Sequence, residues 1–153
     1  MRHAAGFRFA IVLSQYHEQI TAGLLQGARD VLEQAEVSDD DITVIEVPGA
    51  FELPMAALRA AETGQFDAII CLGCLIKGDT MHFEYIAAAA SQGILEVAQV
   101  TGVPTAFGLL TTLTDEQAAA RSADDDGNKG REAAIAAVEM VTLFHEIDER
   151  LGE

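Results

Sequence analysis

The residues able to do chemistry fall just after apolar runs. Lys77-Gly78-Asp79-Thr80-Met81-His82 leads from one such run straight into a helical stretch. Free backbone N–H groups at a helix N-terminus attract anions, phosphate above all. His82 stands in the first turn of that helix, where an imidazole can shuttle protons near neutral pH. Ser14-Gln15-Tyr16-His17-Glu18 follows another run and offers the flat face of Tyr16 to a heteroaromatic ring. Pro48-Gly49-Ala50-Phe51-Glu52 follows a third, and Glu52 can accept hydrogen bonds from a sugar or polyol. A fourth run ends in Phe107-Gly108-Leu109-Leu110-Thr111-Thr112. Each residue also has a plainer reading. Asp79 or Thr80 caps the helix, His82 is structural, Tyr16 covers the core, and Glu52 complements a helix dipole. Arg121 and Lys129 bracket an acidic loop that they balance, or else they bind an anion once brought to the same edge.

The positioning elements follow from periodicity. Residues 7–14, 42–47, 68–76 and 103–111 are nearly continuous apolar segments. That pattern suits strands buried on both faces, as in a parallel sheet. Between them, Leu24, Leu25, Ala28, Val31 and Leu32 share one helical face. Residues 53–61 form a second helix with Pro54 in its first turn and Gly64 as its stop. Phe83, Ile86, Ala87, Ala90, Ile94 and Val97 make a stripe on a third. Thr114 and Gln117 have capping-box spacing at the start of a short fourth. A fifth runs from about 129 to 151, with Ile135, Val138, Val141 and Thr142 on one side. Strand and helix thus alternate four times before one extra helix. The expected fold is a three-layer α/β/α sandwich on a four-stranded parallel sheet, with right-handed crossovers. Ligands in such sheets collect outside the carboxyl ends of the strands.

Composition narrows the partners. The 153 residues include 9 basic and 25 acidic side chains, a formal charge of −16. A surface for nucleic acid needs clustered Lys and Arg, and anionic membranes are disfavoured on the same grounds. No apolar run approaches the roughly 18 residues that span a bilayer, and the start has no signal-peptide pattern. One domain over 1–153 is expected. The two cysteines make a cytoplasmic location the default. Cys71-Leu72-Gly73-Cys74 has C-x-x-C spacing, but side chains three apart on a strand point to opposite faces. His17-Glu18 starts like a zincin motif, yet Thr21 stands where a second histidine is needed. No Walker A loop, G-x-G-x-x-G or G-x-S-x-G is present. A signalling receiver needs acidic residues after the first strand and Asp after the third, and neither is supplied.

Three blocks carry a resemblance. Val47-Pro48-Gly49-Ala50-Phe51-Glu52-Leu53-Pro54, Leu72-Gly73-Cys74-Leu75-Ile76-Lys77-Gly78-Asp79-Thr80-Met81-His82-Phe83-Glu84-Tyr85 and Gly127-Asn128-Lys129-Gly130 closely resemble the 6,7-dimethyl-8-ribityllumazine synthase family, in the family's order. The resemblance runs from about Phe9 to Leu143. It implies a flavodoxin-like fold and the penultimate step of riboflavin synthesis. In that step 5-amino-6-(D-ribitylamino)uracil condenses with 3,4-dihydroxy-2-butanone 4-phosphate, and no metal or redox cofactor takes part. By position, Tyr16 matches the ring that stacks on the pyrimidine, and Ala50, Phe51 and Glu52 match the ribityl-binding turn. Leu75 and Ile76 match the strand end whose backbone reads the ring. Gly78, Asp79 and Thr80 match the phosphate turn, and His82 matches the proton-transfer histidine. Phe107, Arg121 and Lys129 match residues supplied by a neighbouring subunit, with Arg121 on the phosphate. Tyr16 stands where Phe or Trp is usual and His17 where Asn is common. The acidic loop Asp124-Asp125-Asp126 replaces a stretch bearing glycine and lysine. A homo-oligomer is implied, a pentamer or an assembly of pentamers; the loop keeps the length that permits the family's sixty-subunit shell, while its added negative charge favours the free pentamer. A non-catalytic flavin or lumazine binder, or a shell-forming relative, is the competing reading.

Overall fold

A strand can be buried along its whole length only if sheet neighbours flank it and helices cover both faces. Phe9–Ser14 (β1) meets that condition, with all six residues buried. The computed structural model describes residues 2–152. In chain order the elements are β1, α1 (Glu18–Gln34), β2 (Ile42–Val47), α2 (Leu53–Glu62), β3 (Ala68–Ile76), α3 (His82–Thr101), β4 (Thr105–Thr112), α4 (Asp115–Ser122) and α5 (Lys129–Leu151). One-turn 3-10 helices occupy Asp39–Asp41 and Ala50–Glu52.

The sheet has four parallel strands in the order β2-β1-β3-β4. Phe9 lies opposite both Ile42 and Ala68. Alternate residues then serve two cores. Phe9, Ile11, Ile70 and Leu72 pack with Leu24, Ala28 and Leu32 of α1 and with Ala134, Ala137 and Val138 of α5. Ala10, Val12, Ile69 and Cys71 pack with Leu53 and Ala57 of α2 and with Ala90, Ile94 and Val97 of α3. This is the three-layer arrangement that the alternation of elements predicts and the flavodoxin-like fold that the resemblance implies.

The edges of the elements differ from periodicity for local reasons. β1 starts at Phe9 rather than at residue 7 because the Asp67 carboxylate accepts the Arg8 N–H at 2.7 Å. β4 starts at Thr105 because Pro104 has no N–H to give a ladder; its carbonyl instead accepts from the Ile69 N–H. On α5 the buried side is Ala133, Ala134, Ala137, Val138 and Val141, while Ile135 is exposed. Small residues let α5 lie close on the sheet, so its buried face is rotated from the one that the larger side chains suggest. Gly64 takes a left-handed φ of 71° just past α2, as expected of a stop. At α4 the Thr114 hydroxyl accepts from the Gln117 N–H, and the Gln117 side chain accepts from the N–H of Leu113. The reciprocal bond of the capping box is thus made one residue early.

Ile70 is fully buried in the middle of β3 between α1 and α5. Ile70→Ala removes three carbons from a site that cannot collapse. It is expected to cost about 2–5 kcal/mol, read as a lower midpoint in chemical denaturation.

Candidate active site

Three strand ends converge on one crevice. In the order β2-β1-β3-β4 the chain leaves β1 toward one edge and later returns past it to β3. Connections that diverge in this way open a gap at the carboxyl ends. After β1, the Gln15 N–H donates to the Val47 carbonyl at 2.9 Å, and the Gln15 side chain donates to Glu46. His17 then turns the chain into α1 with a left-handed φ of 63°, a region in which His, Asn and Asp are enriched. The turn directs Tyr16 outward, 66% exposed, with the His17 ring edge-on to it at 4.7 Å between centroids. Tyr16 therefore does not cover the core.

After β2, Pro48 and Gly49 lead into the single turn Ala50–Glu52, in which the Glu52 N–H donates to the Gly49 carbonyl. Leu53 is fully buried at the start of α2 and anchors that turn. After β3, the Lys77 N–H donates to the Thr112 carbonyl at 2.9 Å, and α3 begins at His82. Met81 is its N-cap, without a side-chain capping bond, so Asp79 does not cap α3 and Thr80 makes only a long contact with the His82 N–H at 3.4 Å. The plainer reading of Asp79 and Thr80 as caps does not hold. The Lys77 ammonium, 3.0 Å from a Glu84 oxygen, ties the strand end to the first turn of α3 across the Gly78–Met81 bend. That hydrogen bond holds the Glu84 carboxyl below its usual range. Glu84's own backbone N–H adds to the effect, partial desolvation opposes it, and the Lys77 charge adds the remainder.

The resulting cavity measures about 820 Å³, within the usual range for small-molecule sites. Its lining includes Tyr16, Ala50, Phe51, Glu52, Leu75, Ile76, Gly78, Thr80 and His82. The structure thus brings together aromatic ring faces, one carboxylate, the N-terminal end of α3 and the imidazole of His82. Asp79 is exposed on the bend between two lining residues. Phe107, Arg121 and Lys129 do not reach this cavity. They line a second concavity of about 260 Å³ along β4, with Thr111, Thr112 and Glu132. There Arg121 donates to the Gln117 carbonyl at 3.1 Å and Lys129 pairs with Glu132 at 2.9 Å. An apolar groove of about 290 Å³ between β4 and α5 has no ionisable lining residue and offers no chemistry.

His17, Cys74, Phe83 and Ile86 also line the larger cavity. Phe83 and Ile86 belong to the apolar stripe of α3, and periodicity cannot distinguish a wall that meets side chains from one that meets a ligand. Cys71 and Cys74 lie in different cores on opposite faces of β3, as their spacing requires. Burial pushes the Cys71 thiol up to about 12. Burial, with Asp115 adding to it, pushes Cys74 to about 11. Both are neutral thiols near pH 7 and poor nucleophiles. Among the described residues, no cluster of three or more His, Cys, Asp or Glu is placed to hold a metal ion.

Fold and crevice define a flavodoxin-like domain with a small-molecule site at its strand-order switch. The chain belongs to the 6,7-dimethyl-8-ribityllumazine synthase family, whose sequence pattern matches residues 6–145. A 6,7-dimethyl-8-ribityllumazine synthase of Salinibacter ruber is 47% identical over 143 residues, covering 94% of this chain and 92% of that protein.

The Glu84 carboxyl should titrate below the usual value of about 4.3 in an NMR pH series, and Lys77→Met should return it toward that value. A depressed folded-state value contributes stability above the unfolded-state value, lost as pH falls through the folded one. Melting curves of the wild type and Lys77→Met should therefore differ at neutral pH and converge in acid.

Proposed function

We propose that this chain condenses 5-amino-6-(D-ribitylamino)uracil with 3,4-dihydroxy-2-butanone 4-phosphate, giving 6,7-dimethyl-8-ribityllumazine, phosphate and two molecules of water. The observation that carries this reading is the convergence of Tyr16, Glu52, the Gly78–Thr80 bend and His82 on one cavity, in a member of this family. The amine attacks a ketone, one water leaves to form an imine, phosphate departs, and the second nitrogen closes the ring on the remaining carbonyl with loss of a second water. None of these steps needs a strong protein nucleophile. Holding the two partners in reacting geometry is a large part of such catalysis.

Tyr16 stacks on the pyrimidine, and the backbone at Leu75 and Ile76 reads the ring's polar edge. Ala50, Phe51 and Glu52 hold the ribityl chain, with the Glu52 carboxylate accepting from its hydroxyls. Gly78, Thr80 and the backbone N–H of Asp79 take the phosphate, since the Asp79 carboxylate would repel it. His82, at the foot of α3, moves protons during attack and dehydration.

Phe107, Arg121 and Lys129 act on a neighbouring copy's cavity, where the Arg121 guanidinium binds the departing phosphate in bidentate fashion. Phe107 is 49% exposed, and Met140 and Phe144 are exposed nearby, which supports a covering subunit. The working form is a homo-oligomer built from pentamers of single-domain chains. It acts in the cytoplasm, in keeping with the finding that no helix among the described residues is long and apolar enough to cross a membrane.

Mixing the two substrates with the chain, with no metal added, should produce a fluorescent lumazine, and no product at high enzyme concentration would defeat the reading. His82→Ala should lower kcat by about 10²–10⁴-fold while the melting temperature stays unchanged. Arg121→Lys should lose one charge-assisted hydrogen bond, about 1.5 kcal/mol. That raises the KM for the phosphorylated substrate roughly tenfold.

A further inference from the structure

Arg121 and Lys129 sit at the two ends of the segment that joins α4 to α5, on different helices, yet they line one concavity. Their spacing depends on how that segment is fixed. Asn128, only 1% exposed, is its most buried polar side chain. Its oxygen accepts from the Arg131 N–H at 3.0 Å and caps α5. Its amide nitrogen donates to two carbonyls, Gly23 on α1 at 3.1 Å and Ala123 at the end of α4 at 2.9 Å. One side chain thus joins three helices.

Capping alone does not require this residue. Asp or Ser caps a helix about as well as Asn, but neither supplies two N–H donors beside the capping oxygen. The surface beneath is shaped to receive the amide. A Cβ on Gly27 would collide with the Asn128 side chain, and one on Gly23 would collide with the Ser122 carbonyl. Arg131 forms a second tie from the solvent side, with one guanidinium nitrogen 3.4 Å from Asp30 of α1 and 2.9 Å from Asp124 of the loop. Both ties run from α1 to the same segment.

We infer that Asn128 is a positioning residue for the phosphorylated substrate, acting through the spacing it imposes on Arg121 and Lys129, with Arg131 as an outer tie. This rests on the proposed function, because it takes Arg121 as the phosphate ligand and Lys129 as its companion at the same neighbouring cavity. Asn128 touches no substrate. Its loss leaves the cavity that holds Tyr16, Glu52 and His82 intact and lets the α4 end drift.

Asn128→Ser keeps the cap and removes both amide donors, while Arg131→Met cuts the outer tie without disturbing Asn128. For each variant, KM is measured separately for the two substrates, with competition by inorganic phosphate. The expected result for Asn128→Ser is a rise of about tenfold in KM for the phosphorylated substrate, with weaker inhibition by phosphate. KM for the pyrimidine and the melting profile should stay close to wild type. Arg131→Met should move the same constant in the same direction by a smaller factor. Unchanged constants, or an equal change in both KM values together with kcat, would overturn the inference. If Asn128→Ser does not fold, Arg131→Met decides in the same two ways. Absence of product with wild-type protein defeats the proposed function and this inference with it. Turnover by the wild type with no selective change in the variants defeats the inference alone.

Discussion

The site depends on the return of the chain past β1. Because β3 pairs with β1 on the side opposite β2, α1 and α2 must leave the sheet on different faces, and the connections part above the carboxyl ends. Packing below keeps the gap in register. Gly73 lies under it, and a Cβ there would press on Leu53, Leu109 and Ser14 at 3.1–3.2 Å. The bare backbone lets Leu53 seat the start of α2 directly on β3, and that seat sets where Phe51 and Glu52 meet the cavity. A residue with no side chain in the core thereby fixes the position of a carboxylate in the site.

Charge imposes a second constraint. A chain with 25 acidic and 9 basic residues must recognise an anion with few cations to spare. Lys77 is engaged by Glu84, and Lys129 by Glu132. Arg121 bonds a backbone carbonyl and, among the described residues, pairs with no carboxylate. The larger cavity has no cation in its lining, only the N-terminal end of α3 with its free N–H groups. A dipole of this kind holds a phosphate weakly and releases it readily. In the proposed role, the Arg121 guanidinium adds to that hold. The proposed division of labour between backbone and Arg121 suits a phosphate that must leave.

How much was legible in the sequence can be judged at particular residues. β2, β3 and α5 have the bounds that apolar runs and helical periodicity suggest, because their limits are set locally. The ends of β1 and β4 depend on Asp67 and on the missing N–H of Pro104, partners that no window along the strand reveals. Tyr16, Glu52 and His82 were accessible because a parallel sheet delivers whatever follows its strands to one edge. Phe83, Ile86 and Cys74 looked like core, since hydrophobicity is the same for a packed wall and a ligand wall. Asn128 looked like part of a motif. Its amide reaches Gly23, a hundred and five residues away in sequence, and only the fold shows that bond.

Two half-sites on one chain set a further condition. Reacting groups must come within about 3–3.5 Å of one another for proximity to help, yet the cations line one concavity and the ring, polyol and imidazole groups line another. Bringing them together inside one chain would mean moving β4 or α4. β4 is locked to β3 by eight paired positions from Ile69↔Thr105 to Ile76↔Thr112, and the end of α4 is tied to α1 through Asn128. Both halves are rigidly mounted, so neither travels to the other. The proposed arrangement, in which a second copy presents its cations to the first copy's crevice, combines rigid outward-facing halves without strain. Under that proposal, the ties that hold Arg121 and Lys129 in place also suit an interface between copies to the reaction.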